Sequence, residues 1–419
     1  MRNAQNILVV GGGLAGLACA RRLRELGQEA LVLEASDAIG GRARTDVLDG
    51  FRLDRGFQVF LPAYPEARAM LDYAGLDLRH WRSGAAVWAE GEFHRVSDPS
   101  DGAVRALATL FSPAMDAADA LPYTRLRFDV MREADDATWS VPERSAAGEL
   151  AARGFSRKLI DRLFRPFYGG VFFDAALETS NRMLLFVHAM FQREGAASPA
   201  RGIGAIAEQL VSRLDGQVVR YHARVTDVRA DGRSVLLATG EEIPGRAVVV
   251  ATEGDAAQAL LGPAGHDPGF SGWRGTATFY FDAPEPPVAD AIIVLDGDGT
   301  GPVNHLAVPS NVTPECAPPG RHLVAANVIG TAADESTVRV QLSRWFGAEA
   351  VERWRHLRTY TIPHALPVQT TLDPPRRPVR LADRLYICGD HRDNASINGA
   401  LQSGRRAAEA LLGDVRTAS

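Results

Sequence analysis

The spacing of hydrophobic and polar positions changes period several times along this chain, and each change predicts an element. Ile7-Leu8-Val9-Val10 is an unbroken apolar run, the pattern of a parallel strand buried on both faces. Leu14, Leu17, Leu23 and Leu26 then recur at roughly helical spacing up to Gly27, which predicts a helix closed by that glycine. Ala30 to Leu33 predicts a second strand. Phe51 to Phe60 alternates and carries Gly56, as a strand passing close to a ligand would. Residues 62–200 read as mainly helical. Ile206, Leu210 and Leu214 mark an amphipathic helix, and Ala223 to Val228 and Arg246 to Thr252 read as strands. Alternation over Thr276 to Phe281 and His322 to Val328 predicts an antiparallel sheet, with loops at the proline tracts near 284–287 and 314–319. A last buried strand starts at Arg384, ends in Gly389-Asp390, and is followed by a helix running from near Gly399 towards Leu412.

Between the first strand and the first helix stands Gly11-x-Gly13-x-x-Gly16. The first glycine permits a tight turn, the second lets backbone approach a pyrophosphate, and the third lets helix and strand pack closely. Glu34, at the end of the second strand, can accept hydrogen bonds from a ribose diol. NAD and FAD fit this much equally well. Gly40-Gly41-Arg42-Ala43-Arg44 adds two guanidinium forks suited to phosphate oxygens and two glycines that let backbone come near.

The whole run from Ile7 to Thr45, with Gly389-Asp390 and Asn398 to Gly404 at the other end, resembles the amine oxidase, protoporphyrinogen oxidase and phytoene desaturase superfamily. The nearest likeness is to its short desaturase-like NAD(P)/FAD-dependent branch. The resemblance implies FAD. Leu14, Ala15 and Ala35 would join Gly11, Gly13, Gly16 and Glu34 around the nucleotide, while Gly41, Arg42 and Arg44 wrap the diphosphate. Gly56, Phe57 and Gln58 would lie against the flavin ring, and Val225 would touch the adenine end through its backbone. Gly389 and Asp390 would hold the ribityl chain. The helix opening at Gly399 and Ala400 would aim N–H groups at the pyrimidine edge, where a helix N-terminus favours the negative charge of reduced flavin. Phe57 reads equally well as core packing, and Val225 as an ordinary sheet valine.

The fold class implied is α/β: a Rossmann-type FAD-binding domain with an interleaved α+β substrate domain. FAD-binding segments would span 1–61, 201–252 and 368–419. A mainly helical substrate segment would span 62–200 and an antiparallel-sheet segment 253–367. A length of 419 residues agrees with two domains, and 46% hydrophobic with 23% charged residues agrees with a globular chain that buries a large core. A net charge of −5 argues against nucleic acid as a partner. Cys19, Cys316 and Cys388 are too few and too scattered for a disulfide framework or a zinc site, and no metal is expected. Cys19 and Cys388 read as buried apolar residues. With no signal peptide or bilayer-length apolar run in view, the expected location is cytoplasmic, with peripheral membrane contact if the substrate is a lipid.

All but one of the 46 basic residues are arginine, the exception being Lys158. Several amine oxidases keep a lysine near flavin N5, and the resemblance does not put Lys158 there. That departure favours a desaturase-like hydride transfer from a large apolar, isoprenoid-like substrate. A flavin amine or amino-acid oxidase using O2 is the second reading, and a reduced-flavin isomerase the third. The electron acceptor stays open between O2 and a quinone. Phe164, Phe167, Tyr168, Phe172, Met183 and Phe191 belong to the most aromatic and thioether-rich stretch, either a helical core or the lining of an apolar tunnel. Tyr360 and His364, just before the last strand, and Gln58 are the candidate catalytic residues. Tyr360 would be an aromatic wall and His364 an acid or base.

Overall fold

The computed structural model describes residues 6–96, 115–132, 135–214, 218–262 and 270–417. Its first sheet gathers strands from three distant stretches, in the order 380–382, Leu385–Ile387, Ala247–Val250, Ile7–Val10, Ala30–Leu33 and Val219–Arg220. The central pairings are parallel, and every side chain of Ile7–Val10 and Ala247–Val250 is buried. Such runs need cover on both faces. One face is covered by the helices Leu14–Glu25 and Ile397–Thr417, so the two ends of the chain meet over one core that includes Cys19, Cys388 and Tyr386. The other face is covered by the small sheet Val225–Val228, Ser234–Leu237 and Glu242–Pro244. Both Cys19 and Cys388 are fully buried, as their sequence setting indicates.

A seven-stranded sheet carries the second layer, in the order Arg355–Pro367, Trp273–Ala283, His322–Ile329, Val303–Ala307, Ile293–Asp296, Ala85–Ala89 and Glu92–Val96. Its last two strands come from the 62–200 stretch, whose pattern reads as mainly helical. Alternation divides the two faces of this sheet. Ala277, Phe279 and Phe281 pack with Val338, Leu342 and Trp345 of the helix Glu335–Phe346. Thr276 and Thr278 belong to the opposite face, with Asn327 beside Thr278 across the pairing. There the Thr278 hydroxyl donates to Asn327 Oδ1 at 2.7 Å and accepts from the Phe57 N–H at 3.2 Å, so the sheet floor is tied to the loop after Gly56. Over that face stand helices from the 120–194 region, chiefly Arg165–Phe172 and Asn181–Glu194, with most of the latter's side chains buried.

The terminal helices cross at very short range. A Cβ on Gly404 would fall 2.2 Å from the Ala15 carbonyl oxygen and 3.0 Å from the Cys19 nitrogen. Gly404→Val should therefore force the two helices apart, at a cost of about 1–3 kcal/mol. The expected result is a lower thermal-unfolding midpoint for the apoprotein. An unchanged midpoint would contradict this crossing.

Candidate active site

The nucleotide cradle follows from glycine geometry. Gly11 sits at φ +110°, and a Cβ there would meet the Ala251 carbonyl oxygen at 2.7 Å, so the turn out of the first strand requires glycine. A Cβ on Gly16 would lie 2.0 Å from the Gly11 oxygen, the close helix–strand packing the fingerprint implies. Gly13 differs: its φ of −73° suits any residue, and a Cβ would meet nothing within 4 Å. It also caps the Leu14–Glu25 helix without a side-chain hydrogen bond, so that N-terminus presents backbone donors to a space bounded by glycine.

Glu34 is held in place at the edge of this cradle. Its Oε2 accepts from the Gly12 N–H at 2.7 Å, and its Oε1 from the Ser36 N–H and hydroxyl at 2.8 and 2.7 Å. Ala35, half-buried, follows it. Val225 is buried in the same cluster as Leu33, beside the strand end that carries Glu34. The second glycine loop lies directly on the first: the Gly40 N–H donates to the Gly12 oxygen at 2.8 Å, and a Cβ on Gly41 would be 3.4 Å from the Gly13 Cα. Arg44 turns towards Asp37, 3.0 Å away, whose carboxyl that hydrogen bond holds below its ordinary range.

Arg42 reaches inward. It donates to Asp390 Oδ1 and to the Ala365 carbonyl, both at 2.8 Å, and its guanidinium lies 5.4 Å from the centre of the Trp273 ring. Asp390 is 4% exposed, so this is a largely buried carboxylate matched by a cation from the far end of the chain. Gly389 donates to the Ser403 hydroxyl. Gly399 and Ala400, in the first turn of the helix Ile397–Thr417, donate to the Ser396 hydroxyl and carbonyl, both at 3.0 Å. Their N–H groups are therefore not free for a ring edge, contrary to what the resemblance implies. An open backbone cradle, an acid at the ribose position and a polar junction leading to a cavity fit FAD. The nucleotide would lie along Gly11–Gly16 and Glu34, and its ring end would lie past Arg42 and Asp390.

Beyond that junction opens a cavity of about 810 Å³. Gly56, Phe57, Gln58, Ser396 and Ile397 form the wall nearest the junction, and Leu163, Phe167, Val171, Val187 and Phe191 line the helical wall. Among the described lining residues there is no aspartate or glutamate. The tight approach at Gly56, φ +83°, leaves only 2.7 Å between a Cβ and Ile362 Cδ1. Gln58 spends its amide on the Arg42 and Arg55 carbonyls, at 3.0 and 3.3 Å, which fixes this wall to the second glycine loop. His305 lines the sheet floor 5.8 Å from Phe57. Burial pushes its pKa down to about 4, so the imidazole is neutral at pH 7.

Two expected catalytic residues lie elsewhere. The Tyr360 hydroxyl donates to Asp46 Oδ2 at 2.7 Å and its ring packs on Tyr280, outside the cavity. Burial, with Asp46 beside it, pushes its pKa up to about 12. Tyr360 shares the cavity-facing side of its strand, but it lies one pair too far along, under the hairpin Thr45–Leu48 and Phe51–Asp54. Thr276 and Ile362, the next pair, reach the cavity instead. An irregularity between Arg274 and Thr276 shifts the register by two residues. His364 falls within it, outside the cavity lining, and stacks on Trp273 at 4.9 Å with Nδ1 3.2 Å from Glu253. Lys158 pairs with Asp116 at 3.0 Å and does not line the cavity either. Thr276, His305 and Trp81 line the cavity, and Trp273 lies against Arg42 and His364, though the sequence pattern singles out none of them. Alternation along Trp273–Ala283 would have put Thr276 on the floor, but nothing local distinguishes His305.

Gly13→Val tests the cradle against a purely structural role for the fingerprint. Because a Cβ there has open space, the variant should keep native circular dichroism while binding no FAD. A yellow Gly13→Val protein would contradict the placement of the diphosphate.

The family described as flavin containing amine oxidoreductase matches residues 14–412. Among curated proteins, a coproporphyrinogen III oxidase of Mycobacterium leprae is 28% identical over 41% of this chain and 38% of its own length. A 15-cis-phytoene desaturase of Glycine max is 34% identical over 22% and 18%. A putrescine oxidase of Kocuria rosea is 39% identical over 20% and 18%, so these matches span 38% or less of each relative. Solved structures share the fold over nearly the whole chain. An oxidoreductase from Methanosarcina mazei superposes with a TM-score of 0.72 at 17% identity, covering 97% of this chain and 100% of that one. A putative protoporphyrinogen oxidase from Exiguobacterium gives 0.72 at 16%, covering 98% and 99%. With a nucleotide cradle that fits FAD and a family match across almost its full length, this chain belongs to the flavin-containing amine oxidoreductases and takes FAD as its cofactor.

Proposed function

We propose that this protein oxidises a large apolar substrate by hydride removal, in the manner of a desaturase. The observation that carries this reading is the cavity: about 810 Å³, walled by aliphatic and aromatic side chains, with no acid among its described lining residues. A protonated amine entering it would lose its hydration without meeting a counter-charge, which is strongly unfavourable. A carboxylate fares no better. Arg42 is matched by Asp390, Arg55 by Asp46 at 3.0 Å and Arg82 by Asp290 at 2.9 Å, so each lining arginine already has an acid. An apolar chain gains from burial at roughly 25 cal/mol per Å² and needs no such partner.

FAD, when bound, supplies the two-electron acceptor. The protein's own work is positioning and exclusion of water. Gly56 and Gln58 fix the wall against the ring site, while the sheet floor and the helical wall hold the substrate against it. Neutral His305 on the floor is a weak base, and its ring nitrogens offer one hydrogen-bond donor and one acceptor. The relative named as 15-cis-phytoene desaturase is consistent with such a substrate. The relative named as putrescine oxidase keeps an amine as the second reading.

Anaerobic mixing of the holoenzyme with a substrate separates the readings. A long isoprenoid polyene such as phytoene should bleach the flavin band, and putrescine should leave it unchanged. Bleaching by putrescine with none by the polyene would overturn the proposal. Turnover only after prior reduction, with no net electron transfer, would point to an isomerase instead.

A further inference from the structure

One region of the apolar cavity is polar, and it lies on elements other than those that hold the flavin site. Tyr168, on the helix Arg165–Phe172, and His188, on the helix Asn181–Glu194, are each 3% exposed, and both line the cavity. The Tyr168 hydroxyl and His188 Nδ1 are 2.6 Å apart. Beside them Gln192 donates to the Tyr123 hydroxyl at 3.4 Å, and the Tyr123 ring lies 6.3 Å from the His188 ring. All four residues are among the cavity-lining residues.

The backbone that presents Tyr168 is unusual. A π-helical turn, Ile160–Phe164, runs directly into its helix. Such turns insert an extra residue and are frequent at functional sites. Leu163, Phe164, Phe167, Tyr168 and Val171 all line the cavity, so a single hydroxyl is set among apolar side chains. Burial holds the Tyr168 phenol well above its ordinary range, so it stays protonated. The cluster holds no carboxylate, lysine or arginine.

We propose that Tyr123, Tyr168, His188 and Gln192 form a subsite for one neutral hydroxyl or carbonyl group on an otherwise apolar substrate. The chemistry suits either group. When Tyr168 donates to His188 Nδ1, its oxygen accepts from a substrate hydroxyl. When His188 donates from Nδ1, the Tyr168 proton turns to a substrate carbonyl. An ionic group would be desolvated there without a counter-charge. The subsite fixes which carbon of a long chain stands over the flavin, a job that uniform apolar walls cannot do. This inference rests on the apolar-substrate reading above.

The test uses the holoenzyme and two matched probes, octan-1-ol and octane, with the change in the flavin absorption spectrum as readout. Affinities are measured for the wild type and for Tyr168→Phe, which keeps the ring and removes the hydroxyl. The ratio of alcohol to alkane affinity should fall about tenfold in the variant, as expected for one lost buried hydrogen bond, with FAD content unchanged. Should Tyr168→Phe fail to hold FAD, Gln192→Leu gives the same comparison. An unchanged ratio, with both probes bound, overturns the subsite and leaves the apolar-substrate reading intact. If neither probe perturbs the wild-type flavin, that reading fails and the subsite falls with it.

Discussion

Arg42 is where three separate parts of the chain are joined. Its guanidinium donates to Asp390, 348 residues away, and to the Ala365 carbonyl near the end of the strand Arg355–Pro367, while its own carbonyl accepts from Gln58. A largely buried carboxylate without a partner is strongly destabilising, and removing one member of such a pair typically costs about 3–5 kcal/mol. Asp390 therefore ties the C-terminal strand and helix to the second glycine loop. The position of that loop in turn sets the wall formed by Gly56–Gln58. The cradle, the junction and the cavity mouth are consequences of one polar contact together with glycines that let backbones touch.

The division between what the sequence reveals and what it hides follows from range. Gly11, Gly13, Gly16 and Glu34 act through their own turn and the strand beside it, so their spacing carries the meaning directly. Gly389 and Gly399 are legible for the same reason, since a Cβ on either would strike its own loop, at His391 and Asn394, whereas the partner of Asp390 lies 348 residues away. Tyr360 is not, because its fate depends on a hairpin more than 300 residues earlier that places Asp46 over its hydroxyl. His364 depends on a two-residue irregularity between two long strands, which leaves no mark in alternation. The aromatic stretch around Tyr168 presents an intermediate case. Its residues are both core and cavity lining: Phe164, Tyr168 and Met183 belong to the main hydrophobic cluster and also face the cavity.

Charge neutrality is the cavity's defining property. Every lining arginine is matched, the described lining holds no acid, and burial keeps His305 and Tyr168 neutral. Relatives of this chain carry names as different as putrescine oxidase and phytoene desaturase, so the fold by itself does not decide the substrate. Among the described residues no helix is long and apolar enough to cross a membrane.

The most direct measurement is the absorption spectrum of the purified protein, joined to mass spectrometry of the small molecules it releases on denaturation. The account predicts a yellow protein that releases FAD together with a neutral apolar compound. A colourless protein that takes up no added FAD would contradict the cofactor site, and a yellow one releasing FAD with an amine would contradict the substrate class.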